Sequence, residues 1–252
     1  YDQRYFLSAS VRFEGSSKFG KEASKTLGRW GVFPSISASW NIAGEDFMAQ
    51  YDNLDDMKLR FGYGVTGNMP GSSYLYLMTV GAGGDYIFSN GQFIQPWGPT
   101  SNVNPTIRWE EKHEFNLGYD FATFKNRFTG SLDLYFRNTT DLLYEYDVPM
   151  PPYPYGKRWD NYGQIYNYGV ELQLNGTPIR TKNWNWDISL NAAWNNNKVV
   201  RITGEQYGTE GVESYVNTGY ISSGDGETGS YTMRLAEGQP IGNFYGYKFY
   251  TI

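Results

Sequence analysis

The sequence predicts an all-β protein, an antiparallel transmembrane β-barrel to which this chain contributes about eight strands. Three observations support this fold class. Apolar and polar residues alternate along seven segments, charge is confined to one side of that alternation, and aromatic residues mark the ends of several apolar faces. The composition agrees, because aromatic residues make up 18% of the 252 residues and charged residues only 19%.

Strict alternation over this length is typical of strands rather than helices. In the first segment, Tyr5, Leu7 and Ala9 are apolar and the residues between them are mostly polar. The predicted strands are residues 5–13, 30–42, 57–65, 113–121, 128–136, 166–174 and 184–194. The sequence also predicts an eighth strand with a weaker alternation, from Ile241 to Tyr250.

The distribution of charge indicates that one face of these strands avoids water. In each of the seven segments, every second position belongs to the apolar set, which we call the apolar parity. No position of the apolar parity holds Asp, Glu, Lys or Arg. Eight charges lie on the opposite parity, namely Arg12, Lys58, Arg60, Glu114, Asp120, Asp133, Glu171 and Asp187. A soluble β-sandwich would also alternate, so a sandwich or a propeller remains the structural alternative.

Pairs of tryptophan residues favour a membrane for the apolar face. Trp30 and Trp40 share one strand, and Trp184 and Trp194 share another, each pair being ten residues apart. At about 3.3 Å per residue and a tilt near 45°, such a pair spans roughly 23 Å of height. The apolar band of an outer-membrane barrel is about 25 Å tall and has aromatic girdles at both rims. We therefore predict that these four tryptophans form a lipid-facing girdle.

The connections alternate between long and short, which predicts the orientation of the strands. The long connections are residues 14–29, 66–111, 138–164 and 199–240, and the short connections are residues 43–56, 122–127 and 175–183. Outer-membrane barrels have long extracellular loops and short periplasmic turns. The first strand is therefore predicted to run outward, and the protein is predicted to lie in the outer membrane.

Several classes of function are disfavoured by composition. The net charge of -5 and the absence of a basic stripe argue against a nucleic-acid binder. No apolar run reaches 18 residues, so no transmembrane helix is predicted. The chain lacks Cys, and its one histidine, His113, lies on the apolar parity, where a structural role is expected. A zinc site or a Ser-His triad is therefore not expected, and we predict neither catalysis nor a cofactor.

Five stretches of the chain resemble the SusC/RagA family of TonB-dependent outer-membrane transporters of Bacteroidetes, and their order matches the family's. They are SASVRFEGSSKFG with WGVFPSISASW (8–20 and 30–40), MKLRFGYGVTGN (57–68), NPTIRWEEKHEFNLGYDF (104–121), NYGQIYNYGVEL (161–172) and GQPIGNFYGYKFY (238–250). The chain has Glu14 where the family usually has Asp. This substitution does not affect the predicted fold.

The resemblance implies a barrel of about 22 strands, filled by a plug and preceded by an amino-terminal domain. Residues 1–252 would be a partial barrel domain from the carboxy-terminal half, without the plug. The whole protein would import a large nutrient, an oligosaccharide or a peptide, with energy supplied by TonB through the absent plug region. A SusD-like surface lipoprotein would be its partner.

The connection 138–164 contains a stretch rich in proline and aromatic residues, which predicts a contact site. The stretch DVPMPPYPYGKRWD contains several prolines, which restrict its conformation, and three exposed aromatic candidates: Tyr153, Tyr155 and Trp159. We predict that these residues, with Trp97 in the connection 66–111, face the extracellular mouth and contact a glycan, a peptide or a partner. The alternative is that the rings pack the loop itself.

Two further functional classes remain open at this point. The chain could be a complete, small eight-stranded barrel with a structural or adhesive role, although Gly and Ser on its polar parity are too small to fill so narrow a lumen. It could also be a membrane enzyme with its site in the loops. The sequence offers no convergent set of His, Ser and acidic residues for such a site.

Overall fold

Fourteen strands make up almost all the regular structure of the described residues, which are 2–24, 27–83, 86–87, 91–202, 215–221 and 230–246 of this computed structural model. The strands are β1 Tyr5–Gly15, β2 Trp30–Asn41, β3 Leu54–Asn68, β4 Val80–Ala82, β5 Tyr86–Ile87, β6 Phe93–Ile94, β7 Trp97–Pro99, β8 Glu110–Thr123, β9 Phe128–Asp147, β10 Lys157–Arg180, β11 Asn185–Arg201, β12 Tyr215–Ile221, β13 Ser230–Ala236 and β14 Asn243–Phe244. Two short 3₁₀ turns, Ile42–Gly44 and Asp46–Met48, lie between β2 and β3. In the described part of the chain, no helix has the length and apolarity needed to cross a membrane.

The seven long strands form one antiparallel sheet in the order β1-β2-β3-β8-β9-β10-β11. Each of the seven segments predicted from alternation lies in this sheet, so those seven predictions are confirmed. Strands β1 and β11 are its two edges and do not pair with each other within the described residues. We call the end of the sheet that carries the short turns the inner end, and the opposite end the outer end.

The register of the sheet brings all the apolar parities to one face. One row of paired residues runs across all seven strands: Tyr5, Trp40, Leu59, Tyr119, Leu132, Leu172 and Ala192. A slip of one residue between any two strands would move a whole strand's apolar side chains to the other face. We call this side of the sheet the apolar face and the opposite side the polar wall.

The apolar face is not covered by a second layer in the described part of the chain. Trp30 and Trp194 are each 57% exposed, and Trp184 is 76% exposed. A soluble sandwich would bury these rings in its core. The exposure of the rings therefore argues against the sandwich alternative.

Strands β9 and β10 extend well beyond the predicted strand ends. Residues 138–164 were expected to form a connection, but β9 continues to Asp147 and β10 begins at Lys157, directly opposite it. The register shifts on both sides of Gly163. The two shifts have opposite senses, so the pair Asn161 with Leu143 and the pair Ile165 with Thr139 are in the same register, and the backbone ladder continues past the irregularity.

The other two long connections contain small sheets of their own. In the connection between β3 and β8, β4 pairs with β7 and β5 pairs with β6, and we call these four strands the apolar arm. Strands β12, β13 and β14 form a separate three-stranded sheet. Within the predicted eighth strand, only Asn243–Phe244 is a strand among residues 241–246, and it pairs with β13 rather than β11. Residues 247–250 lie outside the described residues.

A carboxylate fixes the inner end of the β1–β2 pair. Glu45, between the two 3₁₀ turns, accepts hydrogen bonds from the Tyr5 hydroxyl at 2.5 Å, from Trp40 Nε1 at 2.9 Å and from the Arg4 guanidinium at 3.1 Å. The hydrogen bonds from Tyr5 and Trp40, followed by the positive charge of Arg4, lower the pKa of Glu45. The charged form of Glu45 therefore stabilises the folded turn.

We expect this stabilisation to depend on pH. Because the folded pKa lies below the unfolded value of about 4.3, the contribution is complete at neutral pH and is lost as the pH falls through the folded pKa. Glu45→Gln should lower the urea midpoint of the full-length receptor at pH 7 and have a smaller effect at pH 3. Asp46→Asn is the matched control in the same turn. A Glu45→Gln effect of equal size at both pH values would contradict the assignment.

Candidate functional site

An aromatic cluster closes the outer end of the sheet. The outer cluster consists of six buried residues from the β1–β2 connection, β2, β3 and the segment before β8: Phe19, Ala23, Phe33, Val65, Ile107 and Trp109. The Trp109 ring lies 4.9 Å from the Phe19 ring and 5.4 Å from the Phe33 ring, centroid to centroid. Its Nε1 donates to the carbonyl of Arg29 at 3.2 Å. The cluster therefore holds two connections against strands β2 and β3 at one end of the sheet.

The Phe33 ring needs a glycine beside it. A Cβ built on Gly67 would overlap the Phe33 ring, and one built on Gly31 would meet the same ring. The Phe33 side chain is only 3% exposed and has no open space to move into. These glycines are therefore explained by close packing on the outer cluster.

Two buried asparagines fasten the segment before β8 to β10. Asn104 donates through Nδ2 to the carbonyl of Trp159 at 2.8 Å. Asn102 donates in the same way to the carbonyl of Lys157 at 2.8 Å and to that of Tyr155. The amide groups replace the ladder hydrogen bonds that a neighbouring strand would make. We call residues 102–109, held in this way, the outer platform.

A third buried asparagine lies on β10 and binds the backbone of the outer platform. Asn161 of β10 accepts from the backbone N–H of Arg108 at 2.9 Å and donates to the carbonyl of the same residue at 2.9 Å. Its Nδ2 also donates to the carbonyl of Asp141 at 2.7 Å. The Arg108 guanidinium pairs with the Asp141 carboxylate at 2.6 Å. Asn161 therefore joins the platform to both β9 and β10.

The four predicted contact residues have different surroundings in the structure. Trp159 is half-buried and packs against the outer cluster. Tyr155 is bonded through its backbone to Asn102, and Tyr153 accepts a hydrogen bond from Arg158, whose guanidinium lies 5.5 Å from the Tyr153 ring centroid. Trp97 lies on β7 and is 70% exposed. Contact between these residues and a ligand stays a prediction.

The apolar arm that carries Trp97 is an exposed hydrophobic surface. Val80, Ile87 and Phe93 are between 57% and 68% exposed. A two-stranded hairpin is marginally stable by itself, and exposed apolar patches commonly mark interaction sites. Sequence reasoning singled out only Trp97, because the two apolar runs that form the arm are too short to show a period.

The outer ends of β9 and β10 carry titratable groups with shifted pKa values. Burial raises the pKa of Tyr146, which is 4% exposed. The negative charges of Glu145 and Asp147 raise the pKa of Lys157, whose Nζ lies 3.5 Å from the Glu145 carboxylate. Both groups therefore keep their protons at neutral pH, so neither offers a general base.

Charged residues of the polar wall are paired across neighbouring strands. The Arg60 guanidinium of β3 binds Asp120 of β8 through two nitrogens, at 2.7 and 2.9 Å, and reaches Asp133 of β9 at 3.1 Å. It crosses β8 over Gly118, where a Cβ would meet the guanidinium. Glycine is therefore required on the middle strand if one arginine is to bridge three strands. The sequence placed these charges on one face but did not pair them.

A second ion pair on the polar wall repeats this arrangement. Arg137 of β9 pairs with Glu114 of β8 at 3.1 Å, and its guanidinium lies 4.4 Å from the centroid of the Tyr135 ring on the same face. His113, on the apolar parity, makes a 3.0 Å hydrogen bond between Nδ1 and the Tyr63 hydroxyl. No group of three or more His, Cys, Asp or Glu residues in the described ranges could hold a metal ion.

The predicted girdle tryptophans all lie on the apolar face. Trp30, Trp184 and Trp194 are exposed, and Trp40 is half-buried beside Tyr5, with the two rings stacked at 6.5 Å. An antiparallel sheet with an unbroken apolar face and a charged, hydrogen-bonded polar wall is the wall of a membrane β-barrel. The contact of the four rings with lipid stays a prediction.

The chain belongs to the TonB-dependent receptor-like β-barrel family, whose model matches residues 1–247. The predicted fold class is thereby confirmed, and so is the resemblance to SusC and RagA. The TonB-dependent receptor SusC of Bacteroides thetaiotaomicron is 35% identical over 209 residues, which cover 80% of this chain and 20% of SusC. The TonB-dependent receptor P39 of Formosa agariphila is 32% identical over 98% of this chain and 21% of its own length.

Solved structures of the same class superimpose on nearly the whole chain. The RagAB peptide transporter matches with a TM-score of 0.72 and 27% identity, covering 97% of this chain and 24% of the transporter chain. The RagAB peptide importer in its closed-closed state matches with a TM-score of 0.73 at 24% identity, which shows the fold. The chain therefore spans about a fifth to a quarter of the length of its relatives.

The asparagine bonds of the outer platform can be tested by an isosteric change. In Asn104→Asp a carboxylate faces the Trp159 carbonyl, so the donor is lost and a buried acceptor is left unpaired, at a cost of about 1–3 kcal/mol. We expect faster hydrogen exchange in residues 155–161 of the full-length receptor, while the rest of the sheet is unchanged. Asn195→Asp, at an exposed position on β11, is the control. Equal protection in the two variants would show that the platform does not depend on this bond.

Proposed function

We propose that this chain forms part of the barrel wall of an outer-membrane importer, driven by TonB, for a large nutrient. The observation that carries the proposal is the register of the sheet, which gathers the apolar parities of seven strands on one face and the eight charges on the other. A wall with hydrocarbon on one side and water on the other requires this separation along every strand, and the exposure of the apolar face argues against a sandwich.

The proposed ligand is an oligosaccharide or a peptide that passes the outer platform and then the polar wall. Arg60, Arg137 and Tyr135 supply hydrogen-bonding and stacking groups along that path. Flat aromatic rings such as Tyr153 and Tyr155 can stack on a sugar or pack against a peptide. The match to a transporter described as taking peptides supports this class of cargo.

The proposed partner at the outer end is a SusD-like surface lipoprotein. The apolar arm, with Trp97 70% exposed, offers the kind of anchor that protein partners bury. The outer platform supports this surface through the Asn102 bonds to Lys157 and Tyr155. TonB itself would act through a plug region outside residues 1–252.

The proposed position in the membrane assigns the apolar face to lipid. The girdle of Trp30, Trp40, Trp184 and Trp194 would mark the two interfaces, because indole rings prefer the headgroup level. The proposal assigns no catalytic role to any residue, and the relatives that match are receptors and transporters by name.

The alternative of a complete eight-stranded barrel has less support. Such a barrel needs its first strand to pair with its last. In the described part of the chain, β1 and β11 are the two edges of an open sheet and do not pair with each other, and β14 pairs with β13. An open sheet of seven strands fits the wall of a larger barrel.

The proposed contacts with the lipoprotein and with the ligand can be tested in the full-length receptor with Trp97→Ala and with the double variant Tyr153→Ala/Tyr155→Ala. We expect Trp97→Ala to weaken co-purification of the lipoprotein at least tenfold, as removal of an aromatic anchor does. The double variant should reduce cellular uptake of the ligand. Tyr51→Ala, an exposed aromatic at the inner end, is the control for surface expression. Unchanged uptake and unchanged partner binding in both variants would remove the proposed contacts.

The assignment of the two faces can be tested with neighbouring residues of β8. Leu117 lies on the apolar face and Asn116 on the polar wall. We expect Leu117→Arg to lower the free energy of unfolding in liposomes by about 2–4 kcal/mol, because a cation then faces hydrocarbon, and Asn116→Arg to change it by less than about 1 kcal/mol. Equal costs at the two positions would contradict the membrane placement.

A further inference from the structure

Two neighbouring turns at the inner end of the sheet carry an excess of basic side chains. The β8–β9 turn contributes Lys125 and Arg127, and the β10–β11 turn contributes Arg180 and Lys182. All four side chains are exposed, and none belongs to an ion pair between described residues. Neither turn, residues 123–127 or 177–184, contains an acidic residue. We call the four residues the basic rim.

Hydrogen bonds hold the backbone of the two turns that carry these charges. Thr177 N–H donates to the Arg127 carbonyl at 2.7 Å, which joins the two turns. In the second turn, Thr181 N–H donates to the Trp184 carbonyl at 2.7 Å, and Trp184 N–H donates to the Thr181 hydroxyl at 3.0 Å. Lys182 therefore lies at the tip of a tight two-residue loop. Because the backbone of the turns is held in this way, binding requires little further ordering of the backbone.

The first turn is also held from its other side. Phe124, Lys125 and Asn126 all have positive φ, between 57° and 59°, a region that L residues rarely adopt. Asn126 N–H donates to the Asp55 carboxylate at 2.9 Å. That carboxylate is the acidic group from the neighbouring β2–β3 turn that faces the first turn, and it forms no ion pair with Lys125.

An apolar belt adjoins the basic rim. Its members are exposed by between 40% and 76%: Phe124, Phe128, Ile179, Trp184 and Trp186. Gly176 pairs with Phe128, and Ile179 pairs with Trp186, which places these residues on the apolar face. Cations next to aromatic rings at the end of an apolar band are typical of a membrane interface that attracts anionic headgroups.

Positive charge is a local property of these two turns and not a general property of the inner end. The β2–β3 turn and the first residues of β3, residues 42–56, contain five acidic residues and no Lys or Arg: Glu45, Asp46, Asp52, Asp55 and Asp56. A ligand that is attracted to the inner end by charge would therefore be directed to the β8–β9 and β10–β11 turns.

We propose that the basic rim and its apolar belt bind an anionic phospholipid, with the phosphate headgroup on the four cations and the acyl chains along the belt. This inference rests on the proposed membrane placement of the apolar face. A lipid is the ligand that uses both features, because a soluble anion makes no contact with the belt. The polar side of the site is closed by Asp187, whose carboxylate accepts from the Thr177 hydroxyl at 2.6 Å and from Asn185.

The experiment uses the full-length receptor in vesicles of phosphatidylcholine, with and without one fifth phosphatidylglycerol, followed by native mass spectrometry of retained lipid. We expect retention of phosphatidylglycerol over phosphatidylcholine. Removal of each charge should weaken that preference about fivefold. The double variant Lys125→Gln/Lys182→Gln should therefore lose at least tenfold. The double variant Arg12→Gln/Lys21→Gln, with exposed cations away from the inner end, is the matched control and should keep the preference.

Three outcomes would overturn the inference. The first is insertion into both vesicle types without any preference for phosphatidylglycerol, which leaves the membrane placement intact. The second is displacement of phosphatidylglycerol by millimolar inorganic phosphate, which would indicate a site for a soluble anion. The third is failure to insert into phosphatidylcholine vesicles, which would overturn the membrane placement as well.

Discussion

The whole structure depends on one constraint, the register that keeps seven apolar parities in step. In the row from Tyr5 to Ala192, each residue is opposite an apolar partner, and the ladder satisfies the backbone N–H and C=O groups between the strands. In hydrocarbon an unpaired backbone group costs several kcal/mol, so ladder and register must be correct together. The charges of the polar wall then follow, because they occupy the only remaining side.

The connections at the two ends of the sheet are held in different ways. At the inner end the turns are short, and side chains such as Glu45 and Asp55 accept hydrogen bonds that hold them in place. At the outer end the connections between strands are long. Buried asparagines and an aromatic cluster attach these connections to the strands. A flexible loop would not position an exposed surface such as the apolar arm.

Much of the fold could be predicted from the sequence because alternation is a local signal. Tyr5 to Phe13 shows its period without knowledge of any partner strand. The extension of β9 and β10 could not be predicted, because residues 138–147 do not alternate strictly between apolar and polar and the pairing beside Gly163 is irregular. The partners of Asn104 and Arg60 were also out of reach. They lie 55 and 60 residues away along the chain, and no period connects such residues.

The platform's asparagines bind carbonyl oxygens and not side chains. Asn104 donates a hydrogen bond to the carbonyl of Trp159, and Asn102 donates hydrogen bonds to the carbonyls of Tyr155 and Lys157. Every amino acid has the same backbone carbonyl group. These hydrogen bonds therefore do not depend on which side chains are present at positions 155 and 157. Relatives can therefore diversify those side chains, and with them the chemistry of the entrance, while the scaffold beneath keeps its shape.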